Sequence, residues 1–158
     1  MILIGFMGVG KTTAGQKLSE ITQKEFIDLD VYIENKHQKI SDIFKNYGES
    51  VFRKYEYDAL KECLDVDILS TGGGIVEYEP SLNLLKESTQ LVIYIDVPFE
   101  EIYKRIKNDS SRPNALRSYE ELQDLYEKRR PLYKSIADIT IRNETTVDEL
   151  IHKLLIVE

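Results

Sequence analysis

Residues 5–12 read GFMGVGKT, a string of the form GxxxxGK[ST]. Its glycines at 5, 8 and 10 allow backbone turns that side chains would obstruct, so successive amide N–H groups can converge on phosphate oxygens at the positive end of a helix. Lys11 adds a full positive charge for β- and γ-phosphates, and the Thr12 hydroxyl is a ligand for Mg2+. The competing reading is a glycine-rich strand-to-helix turn without nucleotide. An apolar strand before the string and an amphipathic helix after it weigh against that reading. The loop alone does not name a reaction, because GTPases, ATP-driven motors and small-molecule kinases share it. No NKxD segment for guanine follows, and 158 residues are few for a motor, which favours a kinase.

Further along, FIDLD puts Asp28 and Asp30 two residues apart. In extended chain both carboxylates would share one face, about 6–7 Å apart. Asp28 is a candidate for holding a water of the Mg2+ shell, and Asp30 for orienting or deprotonating an acceptor hydroxyl. Helix capping by Asp30 is an equally good account. In GESVFRKYE, Arg53 and Glu56 stand at i and i+3, so the acid can hold the guanidinium for a bidentate grip on a carboxylate. An ordinary surface ion pair is the alternative. The run STGGG ends in Gly72, Gly73 and Gly74, which make sense where backbone must approach a ligand, or as a tight turn. Ser70 is a candidate for a metal-bound water. Arg112 lies in a polar segment and Lys128, Arg129 and Arg130 precede Pro131. Basic groups on a flap would close over phosphates and exclude water, although Lys128 and Arg130 fit a solvated helix face better. Tyr32, Tyr55, Tyr57 and Tyr126 are expected to pack, and Cys63, His37 and His152 to be structural.

The elements that must position these groups follow from the apolar pattern. Runs at 1–4, 26–29, 67–70, 91–97 and 137–142 predict five strands, and a 3.6-residue period predicts helices over 12–22, 49–64, 99–107, 119–133 and 147–156. Such alternation predicts an α/β three-layer sandwich, since parallel neighbours need crossovers. Residues 31–47 read as short inserted helices, and 108–118 as a polar flap. Ligands of open parallel sheets collect at the carboxyl ends of strands, which is where all the motifs fall.

Composition sets the outer bounds. The length suits one domain, and 42% hydrophobic with 31% charged residues excludes disordered and fibrous classes. With 21 Lys and Arg against 28 Asp and Glu, the net charge of −7 disfavours nucleic acid and anionic membrane as partners. Any anion must therefore bind in a local basic pocket. One cysteine and two histidines make neither an internal disulfide nor a Cys/His zinc site, and no apolar run approaches a bilayer span. A cytoplasmic protein is expected.

Taken in order, GFMGVGKT, FIDLD, GESVFRKYE, STGGG, SRP and KRRPLY resemble the shikimate kinase family over nearly the whole chain. The resemblance implies a single domain with the five-stranded parallel sheet of the nucleoside monophosphate kinase type, a substrate-binding insertion around 31–60 and a lid around 108–118. It implies transfer of the ATP γ-phosphoryl group to the 3-hydroxyl of shikimate, with Mg2+ as cofactor, by a monomer. ATP would be bound by Gly8, Val9, Gly10, Lys11, Thr12 and Thr13, with Arg105 on the adenine and Arg112 on the lid. Shikimate would meet Asp30, Arg53, Gly72, Gly73, Gly74 and Arg129, with Glu56 orienting Arg53. Thr12 and Asp28 would serve the metal, and Lys11, Asp30 and Arg112 the transfer. RPNA stands where the family commonly has RPLL, and TTVD at 145–148 lacks the proline that walls adenine in some relatives. A kinase of another small hydroxy acid, such as gluconate, and a nucleotide-binding module without activity are the alternatives.

Overall fold

A computed structural model of the chain describes residues 1–109 and 117–158. Five strands, β1 (Ile2–Ile4), β2 (Phe26–Asp28), β3 (Ile68–Ser70), β4 (Val92–Asp96) and β5 (Ile139–Arg142), form one sheet in the order β2-β3-β1-β4-β5, every pair parallel. The residues of β1, β3 and β4 are buried throughout, as they must be in a parallel sheet covered on both faces. At the edge, β5 buries only Ile141 fully, so its pattern alternates instead. All five expected strands are present, each trimmed at its ends.

Helices α1 (Lys11–Thr22), α2 (Leu29–Lys36), α3 (Ile40–Tyr47), α4 (Glu49–Cys63), α5 (Glu79–Lys86), α6 (Phe99–Ile106), α7 (Tyr119–Ile136) and α8 (Val147–Val157) cover the sheet and its carboxyl end. Close packing sets α1 on β2, for a Cβ added to Gly15 would lie 2.5 Å from the Phe26 ring. The inserted segment is two short helices, as expected, but it begins at Leu29 rather than 31. Gly48, at φ 83°, ends α3 and starts α4. Helix α5 was not foreseen. Its eight residues bury only Ser81 and Leu85, too little for a period to be read.

Helix α4 buries Phe52, Arg53, Glu56, Ala59, Leu60 and Cys63, one stripe at helical spacing with two charged residues at core positions. Helix α7 starts on a capping box, Ser118 accepting from the Glu121 amide at 3.2 Å while Glu121 accepts from the Ser118 amide at 2.9 Å. It runs through Pro131, which removes one helical donor, because Tyr126, Tyr133 and Ile136 are buried beyond and before it. Tyr133 stacks on Tyr94 of β4 with ring centroids 5.1 Å apart, fixing α7 against the sheet.

Candidate active site

β1 delivers the chain directly into the glycine-rich loop. Gly8 and Gly10 adopt φ of 78° and 97°, conformations that favour glycine, and Gly10 caps α1. The first-turn amides of α1 thus face the loop's hollow, a cavity of about 150 Å3 lined by Gly8, Lys11, Thr12, Asp28, Asp30 and Gly72 among others. Lys11 is only 7% exposed, and its Nζ donates to the carbonyls of Gly5 at 2.7 Å and Phe6 at 2.9 Å. A buried ammonium held over this loop makes the cavity attractive to phosphate. A larger hollow of about 400 Å3 lies at the amino ends of the strands, beside Lys24, Asp67 and Gln90, and contains none of the motif residues.

The two aspartates are related differently from the extended-chain expectation. β2 stops at Asp28 and α2 starts at Leu29, so Asp30 sits in the first turn of a helix. Capping does occur, but by Asp28, whose Oδ1 accepts from the Val31 amide at 3.1 Å. The other oxygen of Asp28 accepts from the Thr12 hydroxyl at 2.5 Å. Ser70 faces Asp28 across the β2–β3 register, and its buried Oγ has no hydrogen-bond partner among the described residues. Burial, with Asp28 close by, pushes Asp30 up to about 6, while Lys11 pulls the other way. A carboxyl ionising there is suited to accept a proton near neutrality.

The three glycines after β3 form the meeting point. A Cβ on Gly72 would lie 2.9 Å from Asp30 Oδ1 and 3.0 Å from Glu56 Oε2. One on Gly73 would lie 3.2 Å from the Met7 amide of the phosphate loop and 3.6 Å from Arg129 Nη1. One on Gly74 would lie 2.9 Å from Arg53 Cζ, with Nη2 closer still. A side chain at 72 or 74 would thus displace a candidate group, and one at 73 would crowd the phosphate-loop backbone, which are stronger reasons for glycine than turn geometry. Arg53 Nη1 donates to Glu56 Oε1 at 2.8 Å and Nη2 to Glu49 at 3.2 Å. Glu56 is 1% exposed, so this is a buried pair and not a surface one. Burial pushes the Glu56 carboxyl up against the pull of Arg53, and its Oε2 has no hydrogen-bond partner.

A second cavity of about 310 Å3 adjoins the first, sharing Gly8, Gly10 and Thr13 as lining. Arg105 on α6 walls it, held by the carbonyls of Gly8 at 3.1 Å and Thr145 at 3.4 Å. Thr145 and Val147 supply the other wall, in the stretch without proline. The shared rim is what a base and its phosphates, bound end to end, require. Val9 is buried behind the loop. Arg112, with the centre of the expected lid, lies outside the described residues.

Sequence reasoning misread one member of the basic triplet, Arg130, and missed two acids. Arg130 is no solvated surface charge. Its Nη2 pairs at 3.0 Å with Asp96, which also accepts from Tyr94 at 3.0 Å. Lys128 is exposed, yet its Nζ meets Glu77 at 2.7 Å. Glu77 also takes Arg129, through Nε at 2.9 Å and Nη2 at 2.8 Å. Nothing in the spacing joins a glutamate after the glycine turn to a helix some fifty residues later. Tyr133, part of KRRPLY, donates its hydroxyl to the Gly73 carbonyl at 2.5 Å. Tyr126 is buried, as expected of a packing residue.

Comparison with known proteins agrees with this geometry. The family model described as shikimate kinase matches residues 7–157. A shikimate kinase of Staphylococcus haemolyticus is 44% identical over 158 residues, covering 98% of this chain and 91% of that protein. Among solved structures, shikimate kinase from Acinetobacter baumannii in complex with shikimate superposes with a TM-score of 0.91 at 35% identity, over 99% of this chain and 90% of that one. Shikimate kinase from Aquifex aeolicus gives 0.84 at 35% identity, over 98% and 93%.

Proposed function

The chain belongs to the shikimate kinase family, and from that membership we propose that it passes the γ-phosphoryl group of ATP to the 3-hydroxyl of shikimate, giving shikimate 3-phosphate on the route to chorismate and aromatic amino acids. The observation that carries the residue assignment is the crowding at 72–74, where Asp30, Arg53 and Arg129 converge beside the phosphate loop. The relative from Acinetobacter baumannii was solved with shikimate, an acid bearing ring hydroxyls, and two guanidinium groups beside a near-neutral carboxyl suit such a molecule.

In this reading Arg53 and Arg129 hold the substrate carboxylate, which orients the ring. Asp30 accepts the proton of the attacking hydroxyl as its oxygen closes on the γ-phosphorus. Lys11 and the loop amides stabilise the charge that spreads over the phosphoryl oxygens. Thr12 and Asp28 would hold Mg2+, with the partnerless Ser70 Oγ available to a coordinated water. Two protein oxygens suit an ion that arrives on phosphates better than a protein cage. When bound, Mg2+ supplies neutralisation of phosphate charge. ATP lies with its base against Arg105, and Arg112 closes over the phosphates. In an acidic protein of net charge −7, the basic groups Lys11, Arg53, Arg105 and Arg129 are gathered at this cleft, and the reading extends to a monomer in the cytoplasm. Among the described residues no helix is long and apolar enough to cross a membrane.

An ADP-release assay run in parallel with shikimate, with gluconate and without acceptor tests the proposal. Turnover is expected with shikimate alone. Turnover with gluconate alone, or ATP hydrolysis indifferent to both acids, would refute it.

A further inference from the structure

Arg129 is constrained on three sides. Its guanidinium lies over the Phe6 ring, 5.7 Å from the centroid. Its Nε donates to Glu77 Oε2 at 2.9 Å, its Nη2 lies 2.8 Å from the same oxygen as an ion pair, and its Nη1 points toward Gly73, 3.6 Å from where a Cβ would be. Of the two bidentate edges of a guanidinium, Glu77 therefore takes the one shared by Nε and Nη2. The edge made by Nη1 and the second N–H of Nη2 faces the glycine turn, beside the Tyr133 hydroxyl that is itself held by the Gly73 carbonyl.

Charge makes the arrangement more specific. A carboxylate that orients an arginine also cancels it, and at Arg53 two glutamates, Glu49 and Glu56, do so. At Arg129 one carboxylate faces two cations, because Lys128 binds Glu77 Oε1. Burial alone would push Glu77 up, but Lys128 and Arg129 together hold it below the usual carboxylate range. The corner keeps one net positive charge. Glu77 reaches it from the 3-10 turn Ile75–Glu77, which follows the glycines directly, so the brace and the turn move as one piece.

We propose that Glu77 is a positioning residue for substrate binding: it locks Arg129 with its outer edge turned to the substrate carboxylate, while Lys128 neutralises the brace so that Arg129 keeps its charge for the substrate. The inference rests on the reading of Arg129 as half of the carboxylate grip. Loss of the brace lets Arg129 sample rotamers that must be frozen again at each binding event. The transferring groups are untouched, so the cost falls on shikimate KM and not on kcat or ATP KM.

The test compares E77M, E77Q and R129M in the full chain, varying shikimate at saturating ATP and ATP at saturating shikimate, with a thermal melt of each variant. Methionine matches the length of glutamate without its acceptor oxygens, and glutamine keeps one acceptor without charge. E77M is expected to raise the shikimate KM about tenfold, the loss of a hydrogen bond to a charged group, with ATP KM and kcat within about twofold. E77Q is expected to stay within about threefold of wild type, since its amide oxygen still accepts from Nε. Both substitutions remove the same negative charge, which by itself would tighten binding of an anion. A shikimate KM in E77M at or below wild type, or equal shifts in both variants, overturns the inference. If E77M is unfolded at the assay temperature, E77A takes its place as the variant without an acceptor, and the same outcomes decide. An R129M variant with unchanged shikimate KM refutes the grip itself, and the inference with it. R129M weakened while E77M is not refutes only the role of Glu77.

Discussion

Replacing Asp30 with asparagine should disable the enzyme and make it more stable, and the two effects have one cause. In the folded chain the Asp30 carboxyl ionises at about 6, raised from its ordinary 3.8 by burial and by Asp28. Above pH 6 both folded and unfolded chains carry the charge, and the folded one bears its full electrostatic cost. Below pH 3.8 both are protonated and the cost vanishes. A displacement of this size corresponds to about 3 kcal/mol, and with partial solvent access about 1–3 kcal/mol is the reasonable range. Asparagine, neutral and of the same shape, removes it. The stabilisation of D30N over wild type should therefore be near zero at about pH 4 and grow through the window between 3.8 and 6. At pH 8 it should raise Tm by several degrees, at about 2–4 °C per kcal/mol for a chain this long. Circular dichroism melts across that pH range, without ligands, measure it. Meanwhile kcat should fall by about 10²–10⁴, the usual contribution of a positioned base. A stability gain independent of pH would refute the charge argument, and kcat within tenfold of wild type would refute the base.

Three other perturbations have defined outcomes. Arg53→Ala should raise the shikimate KM by an amount worth about 2–5 kcal/mol and leave ATP binding nearly unchanged, because the arginine faces Gly74 and the glutamates and not the nucleotide cavity. Isothermal titration with each substrate checks this, and an unchanged shikimate affinity would refute it. Gly74→Ala should alter Tm by no more than a few degrees, since Gly74 has an unstrained φ of −90°, while weakening shikimate binding by pushing the Arg53 guanidinium aside. Loss of fold would contradict it. Arg105→Ala should raise the ATP KM several-fold with the shikimate KM unaltered, as Arg105 is held by Gly8 and Thr145 around the second cavity. Equal effects on both substrates in steady-state kinetics would count against that cavity as the base site.

Much of this architecture could be read from spacing, and the failures have physical reasons. Strands β1, β3 and β4 announce themselves because a parallel sheet buried on both faces favours runs rich in Ile, Leu and Val, broken here only by Ser70, Tyr94 and Asp96. The glycine loop is legible because its string constrains backbone and chemistry together. Asp30 was placed on the wrong element because β2 has only three residues, and no pattern that short says where a strand yields to a helix. The burial of Arg53 and Glu56 is invisible to a rule that puts charges outside. They occupy core positions on α4 because Arg53 pairs with Glu56 at 2.8 Å, although one oxygen of Glu56 is left over. The partners Glu77–Arg129 and Asp96–Arg130 escaped entirely, as tertiary ion pairs leave no periodic trace.

Helix α7 brings Arg129, Arg130 and Tyr133 to three different addresses: Glu77, Asp96 and the carbonyl of Gly73. Their relative bearings are fixed by counting, since each added residue turns everything after it by about 100°. One codon inserted between Arg129 and Tyr133 would swing the phenol away from Gly73 and from its Tyr94 stack at a stroke, whatever amino acid it encoded. Over this five-residue stretch an insertion or deletion should therefore break several contacts at once whatever its side chain, a frame constraint that adds to the chemistry of each residue.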